Sequence, residues 1–261
     1  KAIRFNKFMR VAIIGGTGWV GKSVNNLFSD AYIYTSKFGI KEEVNKADVV
    51  FICVPTPLSE GGRLNTSIID EIFTWLTVPL VVIRSTVNPG DCDKWAEKYN
   101  ANIVFQPEYL GETPNHPLLD ETQAKFLILG GELRNRRKVI NLYAKVYNSD
   151  IKIRQVSLIE AEIIKLSENR AIAFKVMQLH ELYQVCQKAR VDYYIIRDAV
   201  YGDDPRFNLW FSFIYPDKLG FHNSKCLAKD IPAWNAWARS VGFEPELTSK
   251  LFVKSADYAR L

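Results

Sequence analysis

Residues 10–28 read RVAIIGGTGWVGKSVNNLF, an apolar strand running through a glycine-rich turn into a helix. Gly16, Gly18 and Gly21 satisfy the spacing GxGxxG. In that spacing the first glycine permits the tight turn and the second lets backbone approach a pyrophosphate. The third lets the helix pack on its strand. The N–H groups that open the helix then face the phosphates. The stretch therefore predicts a dinucleotide-binding fold, provided more strands follow.

They do follow. ADVVFICVPTP (47–57) is a continuous apolar run that ends in a proline-bounded loop, and PLVVIRSTVNPG (79–90) and ANIVFQPEYLGE (101–112) repeat the form. KFLILGG (125–131) and IKIRQV (151–156) read as two further strands, with helical segments at TSIIDEIFTWL (66–76) and RNRRKVINLYAKVY (134–147). Such alternation predicts a parallel, doubly wound sheet that binds ligands at the carboxyl ends of its strands. Thr56, Thr86 and Glu108 all fall at such ends. A second register of the glycine turn, with Gly15, Gly18 and Gly21 as GxxGxxG, fits extended short-chain dehydrogenases. That chemistry needs a tyrosine with a lysine four residues on, and no tyrosine here has one.

One expected residue is missing. A sheet of this type that binds NAD usually ends its second strand in an acidic residue for the ribose, about 20 residues after the glycines. Here that region reads YIYTSKFG (32–39). Either Ser36 and Lys37 hold a 2′-phosphate, or the adenosine end is loosely gripped, so NAD is expected and NADP is not excluded.

Composition sets outer limits. The chain has 261 residues, a formal net charge of +5, 48% hydrophobic and 24% charged residues. These values suit a globular protein of one large or two smaller domains. The basic residues are spread rather than clustered, which argues against nucleic acid and is compatible with an acidic or phosphate-bearing small molecule. No apolar run reaches membrane-spanning length, so no membrane association is expected. Cys53, Cys92, Cys186 and Cys226 are far apart, with no CxxC spacing and no nearby histidine pair. No metal site is expected, and a reducing cytoplasm is the simpler setting. The first eight residues, KAIRFNKF, read as an extension outside the fold.

The second half is different in kind. From Ile159 to Arg190 there is no Gly or Pro, which predicts one long helix. Ile172, Val176, Leu179, Tyr183 and Cys186 form a buried stripe on it, with Met177 at its flank. Carried backwards, the stripe reaches Asn169 and Lys165, two polar groups expected to point into a cavity. A short helix at VDYYIIRDAV (191–200) precedes an aromatic-rich, turn-rich stretch, YGDDPRFNLWFSFIYPDKLGFHNSKC (201–226). Helices return at LAKDIPAWNAWARSVG (227–242) and EPELTSKLFVKSADYARL (244–261). The expectation is an α/β chain: an N-terminal doubly wound, Rossmann-like parallel sheet at 9–157, then an all-helical central and dimerisation domain at 158–261.

Taken in order, GTGWVG, ADVVFICVPTP, VVIRSTVNPG, QPEYLGE, AEIIKLSEN, DPRFN and CLAKD resemble the UDP-glucose/GDP-mannose dehydrogenase family. Those enzymes oxidise the C6 alcohol of a nucleotide sugar to a carboxylate with two NAD. The resemblance implies Cys226 as the nucleophile that traps the aldehyde, first as a thiohemiacetal and then as a thioester. It implies Lys165 and Asn169 as oxyanion stabilisers, Asp230 and Thr86 as holders of the hydrolytic water, and Glu108 as its base. Gly16, Thr17, Gly18, Trp19, Val20 and Gly21 would contact the cofactor, as would Ser36 and Lys37. The same is implied for Val54, Pro55, Thr56, Ser85, Thr86, Glu112 and Lys229. The nucleotide sugar would meet Glu108, Tyr109, Leu110, Lys165, Asn169, Arg206, Gly220 and Cys226. Arg206 matches an arginine that reaches a neighbouring subunit's sugar site, implying a homodimer built on the long helix.

The chemistry is coherent on its own terms. A free thiol titrates at about 8.5 and flanking cations lower that value. A buried lysine beside a developing alkoxide stabilises it by roughly 3 kcal/mol. Three features depart from the family. The stretch between residues 39 and 47 is short, GFHNSKC replaces a glycine-rich loop, and the chain ends where a second Rossmann domain is expected. The expectation is a short form of the enzyme. A β-hydroxyacid dehydrogenase, which shares a Lys-x-x-x-Asn pair but uses no thiol, and a non-catalytic dinucleotide-binding protein are the alternatives.

Overall fold

The computed structural model describes residues 9–111, 116 and 118–258. Seven strands form one sheet: β1 (Val11–Ile14), β2 (Tyr32–Tyr34), β3 (Val49–Ile52), β4 (Val81–Ile83), β5 (Ile103–Phe105), β6 (Phe126–Gly131) and β7 (Lys152–Val156). Their order across the sheet is β2-β1-β3-β4-β5-β6-β7. The first five are mutually parallel, joined by α1 (Trp19–Leu27), α2 (Lys41–Val44), α3 (Ser67–Trp75) and α4 (Asp91–Lys98).

The strands are continuous apolar runs because both faces of the sheet are covered. Ala12, Ile14, Val50 and Ile52 point into one core, whereas Ile13, Val49 and Phe51 point into the other. α5 (Leu133–Tyr143) adds Val139, Leu142 and Tyr143 to the second core.

The sheet departs from the all-parallel expectation at one place. β6 pairs antiparallel with β5, and β7 runs parallel to β6. A parallel neighbour requires a crossover, commonly a helix. Between Phe105 and Phe126 the described residues contain only a single 3₁₀ turn, Glu121–Gln123, and the chain returns in the opposite direction.

The chain divides into two compact units. The first comprises residues 1–56, 65–110 and 118–165, and holds the sheet. The second comprises 57–64, 111–117 and 166–261. The boundary falls inside α6 (Leu158–Ala189), between Lys165 and Leu166.

The second unit is helical, with α7 (Tyr193–Arg197), α8 (Leu227–Ser240) and α9 (Glu246–Tyr258). Ala173 and Met177 of α6 pack with Phe221, Leu227, Ile231 and Tyr258. The deeply buried face of α6 is rotated slightly from the expected stripe. Ala173, Met177 and His180 are buried, while Ile172, Val176 and Tyr183 are half-buried. Leu179 and Cys186 are buried as expected. Among the described residues no helix is long and apolar enough to cross a membrane.

Candidate active site and cofactor site

In the first unit the glycine turn is shaped by contacts that only hydrogen tolerates. Gly15 carries φ +85°, and a Cβ there would lie 2.5 Å from the Cys53 carbonyl oxygen. Gly15, one residue before the GxGxxG motif, is therefore the left-handed residue of the turn rather than Gly16. A Cβ on Gly21 would lie 2.3 Å from Gly15 O, so the third glycine lets α1 close onto the turn. Gly18 caps α1 without a side-chain hydrogen bond, and the first turn, which holds Trp19 and Val20, contains no acidic residue. Thr17 and Trp19 are exposed beside it. This uncapped positive helix end fits the pyrophosphate of a dinucleotide.

The loops after β3 and β4 are laced together. Thr56 Oγ1 donates to the Thr86 carbonyl at 2.6 Å, and Ser85 Oγ donates to the Val54 carbonyl at 2.7 Å. Thr56 and Ser85 are buried, Val54 and Thr86 half-buried and Pro55 exposed. Arg84, next to Ser85, is wholly buried and ion-paired with Glu121.

After β5, Glu108 is buried and its Oε1 accepts the Leu110 N–H. Lys165, also buried, donates its Nζ hydrogen to the Glu108 carbonyl and lies 3.8 Å from Glu108 Oε2. The same ammonium stands 5.4 Å from the Tyr109 ring centre. The polar group expected in a cavity is thus held by a carboxylate, a carbonyl and an aromatic face. Glu162, one turn before Lys165, was not apparent as a site residue from sequence. It accepts N–H bonds from Gly90 and Cys92 at the start of α4. Burial pushes its carboxyl up to about 7.

The second unit holds the other polar cluster. Asn169 Nδ2 donates to Asp230 Oδ2 at 2.5 Å, and Lys229 Nζ lies 2.7 Å from Asp230 Oδ1. Asp230 is wholly buried. Cys226 caps α8, and its carbonyl accepts the N–H groups of Lys229 and Asp230. The residues before it are clipped in place. Gly220 N–H donates to His180 Nδ1 at 2.8 Å, and Phe221 N–H donates to Ser255 Oγ at 2.7 Å. Burial pushes the His180 imidazole down to about 4, which keeps it a neutral acceptor.

Arg206 stands apart from this cluster, exposed and paired with Asp204. It lines an open groove of about 730 Å³ with Arg170, Phe174, Lys175, Tyr201 and Phe207. Glu112 lies outside the described residues, as do residues 1–8.

Of the four cysteines, Cys92 and Cys186 are buried and Cys53 and Cys226 are half-buried. Burial pushes the Cys53 thiol up to about 12 and raises that of Cys92 well above its ordinary value.

The parallel sheet, the glycine turn and the uncapped helix define a Rossmann-type dinucleotide-binding domain joined to a helical one. Two family models match most of the sheet and most of the helical part, beginning after the glycine turn and α1. The NAD-binding domain of the UDP-glucose/GDP-mannose dehydrogenase family matches residues 30–151, and that family's central domain matches 159–253. The chain belongs to this family.

The UDP-glucose 6-dehydrogenase of Rickettsia bellii is 27% identical over 206 residues, 75% of this chain and 46% of that protein. The chain spans about half the length of such curated relatives. A UDP-glucose dehydrogenase from the archaeon Pyrobaculum islandicum superposes with a TM-score of 0.80 at 20% identity, covering 99% of this chain and 70% of that one. The 3-hydroxyisobutyrate dehydrogenase of Mycobacterium tuberculosis superposes with a TM-score of 0.72 at 14% identity, covering 97% and 94%. At these identities the likeness is one of fold.

Proposed function

We propose that the chain oxidises the C6 alcohol of a nucleotide sugar to a uronic acid in two NAD-dependent steps, with Cys226 as the covalent anchor. The observation that carries this reading is the cluster of buried Asn169 and Asp230 with half-buried Lys229, at the first turn of the helix that Cys226 caps. A buried, paired carboxylate beside a half-buried thiol is more than packing requires. Burial keeps Cys53 and Cys92 protonated at neutral pH, which leaves neither suited to nucleophilic attack.

The glycine turn with Thr17 and Trp19, the loop of Val54, Pro55 and Thr56, and Ser85, Thr86, Glu112 and Lys229 would hold NAD. When bound, NAD supplies the acceptor for each hydride. The chain's own residues do the rest. Deprotonated Cys226 Sγ attacks the C6 aldehyde, forming a carbon–sulfur bond and an alkoxide. Lys165 and Asn169 stabilise that charge, as donors aimed at a developing oxyanion do. After the second oxidation C6 is a thioester. Water held by Asp230 and Thr86 loses a proton to Glu108 and attacks the carbonyl carbon. The carbon–sulfur bond breaks, giving the carboxylate and free Cys226.

Tyr109, Leu110, Gly220 and Arg206 complete the sugar site in this reading, with Arg206 supplied by a second copy. Exposed Ile195 in α7, and exposed Trp210, Phe213 and Tyr215 in the aromatic stretch that follows it, support such a homodimer.

The test is direct. Purified protein incubated with NAD and UDP-glucose, or another nucleotide sugar, is expected to form two NADH per sugar consumed, and Cys226→Ala to form no acid. Absence of turnover on a broad panel of nucleotide sugars would reject the reading. A β-hydroxyacid dehydrogenase is the second reading. It is favoured by the Lys165–Glu108 contact, which needs no thiol, and by the near-complete superposition on the mycobacterial enzyme. Turnover of a hydroxyacid that survives alkylation of Cys226 would select it.

A further inference from the structure

The end of β2 lacks the acidic residue of an NAD-selective site and carries a lysine. Gly15 N–H donates to the Tyr34 carbonyl at 2.8 Å, so the residues that follow Tyr34 lie directly beside the glycine turn. They form a built turn. Thr35 N–H donates to the Phe38 carbonyl at 2.9 Å, and Thr35 Oγ1 accepts the N–H groups of Lys37 and Phe38, each at 3.2 Å. Gly39 returns the chain with φ +102°, where a Cβ would meet the Tyr34 ring at 2.9 Å. Ile40 N–H then donates to Tyr32 Oη at 2.8 Å. The tip residues Ser36 and Lys37 are thereby held out in solvent at the carboxyl end of β2.

The chemistry of that tip is cationic. No carboxylate occurs between Ala31 and Lys41. Asp30 precedes β2 at its opposite end, and Glu42 and Glu43 belong to α2, where Glu43 pairs with Lys46. Among the described residues the Lys37 ammonium makes no hydrogen bond or ion pair. Thr35 Oγ1 accepts two N–H groups and keeps its own hydrogen to donate. In a fold of this kind the end of β2 meets the adenosine ribose, where an acidic residue selects the 2′-hydroxyl and a basic one accommodates a 2′-phosphate.

We infer that the turn Thr35–Ser36–Lys37 is a 2′-phosphate site, with Lys37 as the ion partner and Thr35 and Ser36 as hydroxyl donors, so that the chain binds NADP⁺ at least as tightly as NAD⁺. The inference rests on the dinucleotide reading of the glycine turn and extends it from the pyrophosphate to the ribose.

Binding measured by titration calorimetry, and by quenching of tryptophan fluorescence with Trp19 at the start of α1 as a reporter, tests it without turnover. NADP⁺ is expected to match or exceed NAD⁺ in affinity. Lys37→Glu is expected to shift the ratio of NADP⁺ to NAD⁺ affinity about tenfold or more toward NAD⁺. A charge-assisted phosphate contact is lost from one ligand only, and a carboxylate now faces the 2′-hydroxyl of the other. Lys37→Arg retains both affinities. Adenosine 2′,5′-bisphosphate should compete better than AMP, and its advantage should shrink as salt rises. NAD⁺ binding about tenfold tighter than NADP⁺, or equal losses of both in Lys37→Glu, overturns the inference alone. Failure of both dinucleotides to bind overturns it together with the dinucleotide reading.

Discussion

Asn169 and Asp230 are both buried and share a hydrogen bond of 2.5 Å, although they lie 61 residues apart in the chain. The carboxylate has its other oxygen on Lys229, so one buried acid orders an amide on α6 and an ammonium on α8. Removing the acid strands both. Asp230→Ala is expected to destabilise the protein by about 3 kcal/mol, read by urea unfolding, because a partly buried ammonium loses its partner. Asp230→Asn preserves shape and should be milder in stability. On the proposed mechanism it still lowers acid formation about a hundredfold. A Asp230→Asn enzyme with full activity would remove Asp230 from the chemistry.

His180 and Gly220 make a clip with a pH signature. The imidazole accepts the Gly220 N–H, and burial holds its value near 4 rather than at the ordinary 6.5. The unfolded chain therefore binds more protons between those values, so this contribution is present above about pH 6.5 and fades as pH falls toward 4. The stability gap between wild type and His180→Gln should widen by roughly 2 kcal/mol from pH 5 to pH 7. Urea unfolding at several pH values reads it. A gap that stays constant would mean that His180 does not titrate in this way.

Glu162 carries the opposite slope. Burial raises its carboxyl to about 7 although the Gly90 and Cys92 N–H groups pull the other way. The folded state then binds more protons between about 4.5 and 7, and the contribution declines as pH rises through that window. The stability gap between wild type and Glu162→Gln should narrow by roughly 2 kcal/mol from pH 5 to pH 7. Glu162→Ala should show the same narrowing, because it too removes the titrating group. It also leaves the α4 N–H groups unsatisfied and should be about 2 kcal/mol less stable than Glu162→Gln at each pH.

These two residues also mark the limit of what the sequence discloses. The strands were legible because continuous apolar runs bounded by Pro and Gly mean burial on both faces, as Val49–Ile52 and Val81–Ile83 are buried. The long helix was legible from 32 residues without a breaker. Lys165 and Asn169 were legible as polar interruptions of its buried face. Their partners were not, because contacts across 57 and 61 residues leave no local pattern. The same holds for Glu162 with Cys92 at 70 residues and His180 with Gly220 at 40. The direction of β6 was missed because alternation of strands and helices says nothing about a connection without a helix. The glycine motif located the turn, but the left-handed residue is Gly15, whose tight fit depends on Cys53 from the neighbouring strand.

Gly21 tests the cofactor half separately from the thiol half. A Cβ at Gly21 would sit 2.3 Å from Gly15 O and 2.6 Å from Gly16 Cα, both backbone atoms that cannot rotate away. Gly21→Ala must push α1 off the turn. Expected are a loss of about 2 kcal/mol of stability, in the range of an overpacked core, and loss of measurable dinucleotide binding. Retention of wild-type affinity would mean that the pyrophosphate does not lie over this turn.

Gly220 makes the complementary case at the thiol loop. Its φ is +78°, and a Cβ there would lie 2.5 Å from the Ser255 carbonyl oxygen and 2.9 Å from Ser255 Oγ. That hydroxyl is the acceptor for the Phe221 N–H, and the Gly220 N–H is the donor to His180. A methyl group at this point strains the backbone and displaces both clips. The loop from Phe221 to Cys226 then loses its fixed start, while the glycine turn of the first unit is untouched. Gly220→Ala is therefore expected to bind NAD⁺ within about threefold of wild type and to form acid at least about tenfold more slowly, since a misplaced nucleophile loses its near-attack geometry. Parallel loss of NAD⁺ binding would point to general unfolding, and Ser255→Ala separates the cases. It opens space without strain and should slow acid formation through the Phe221 clip alone.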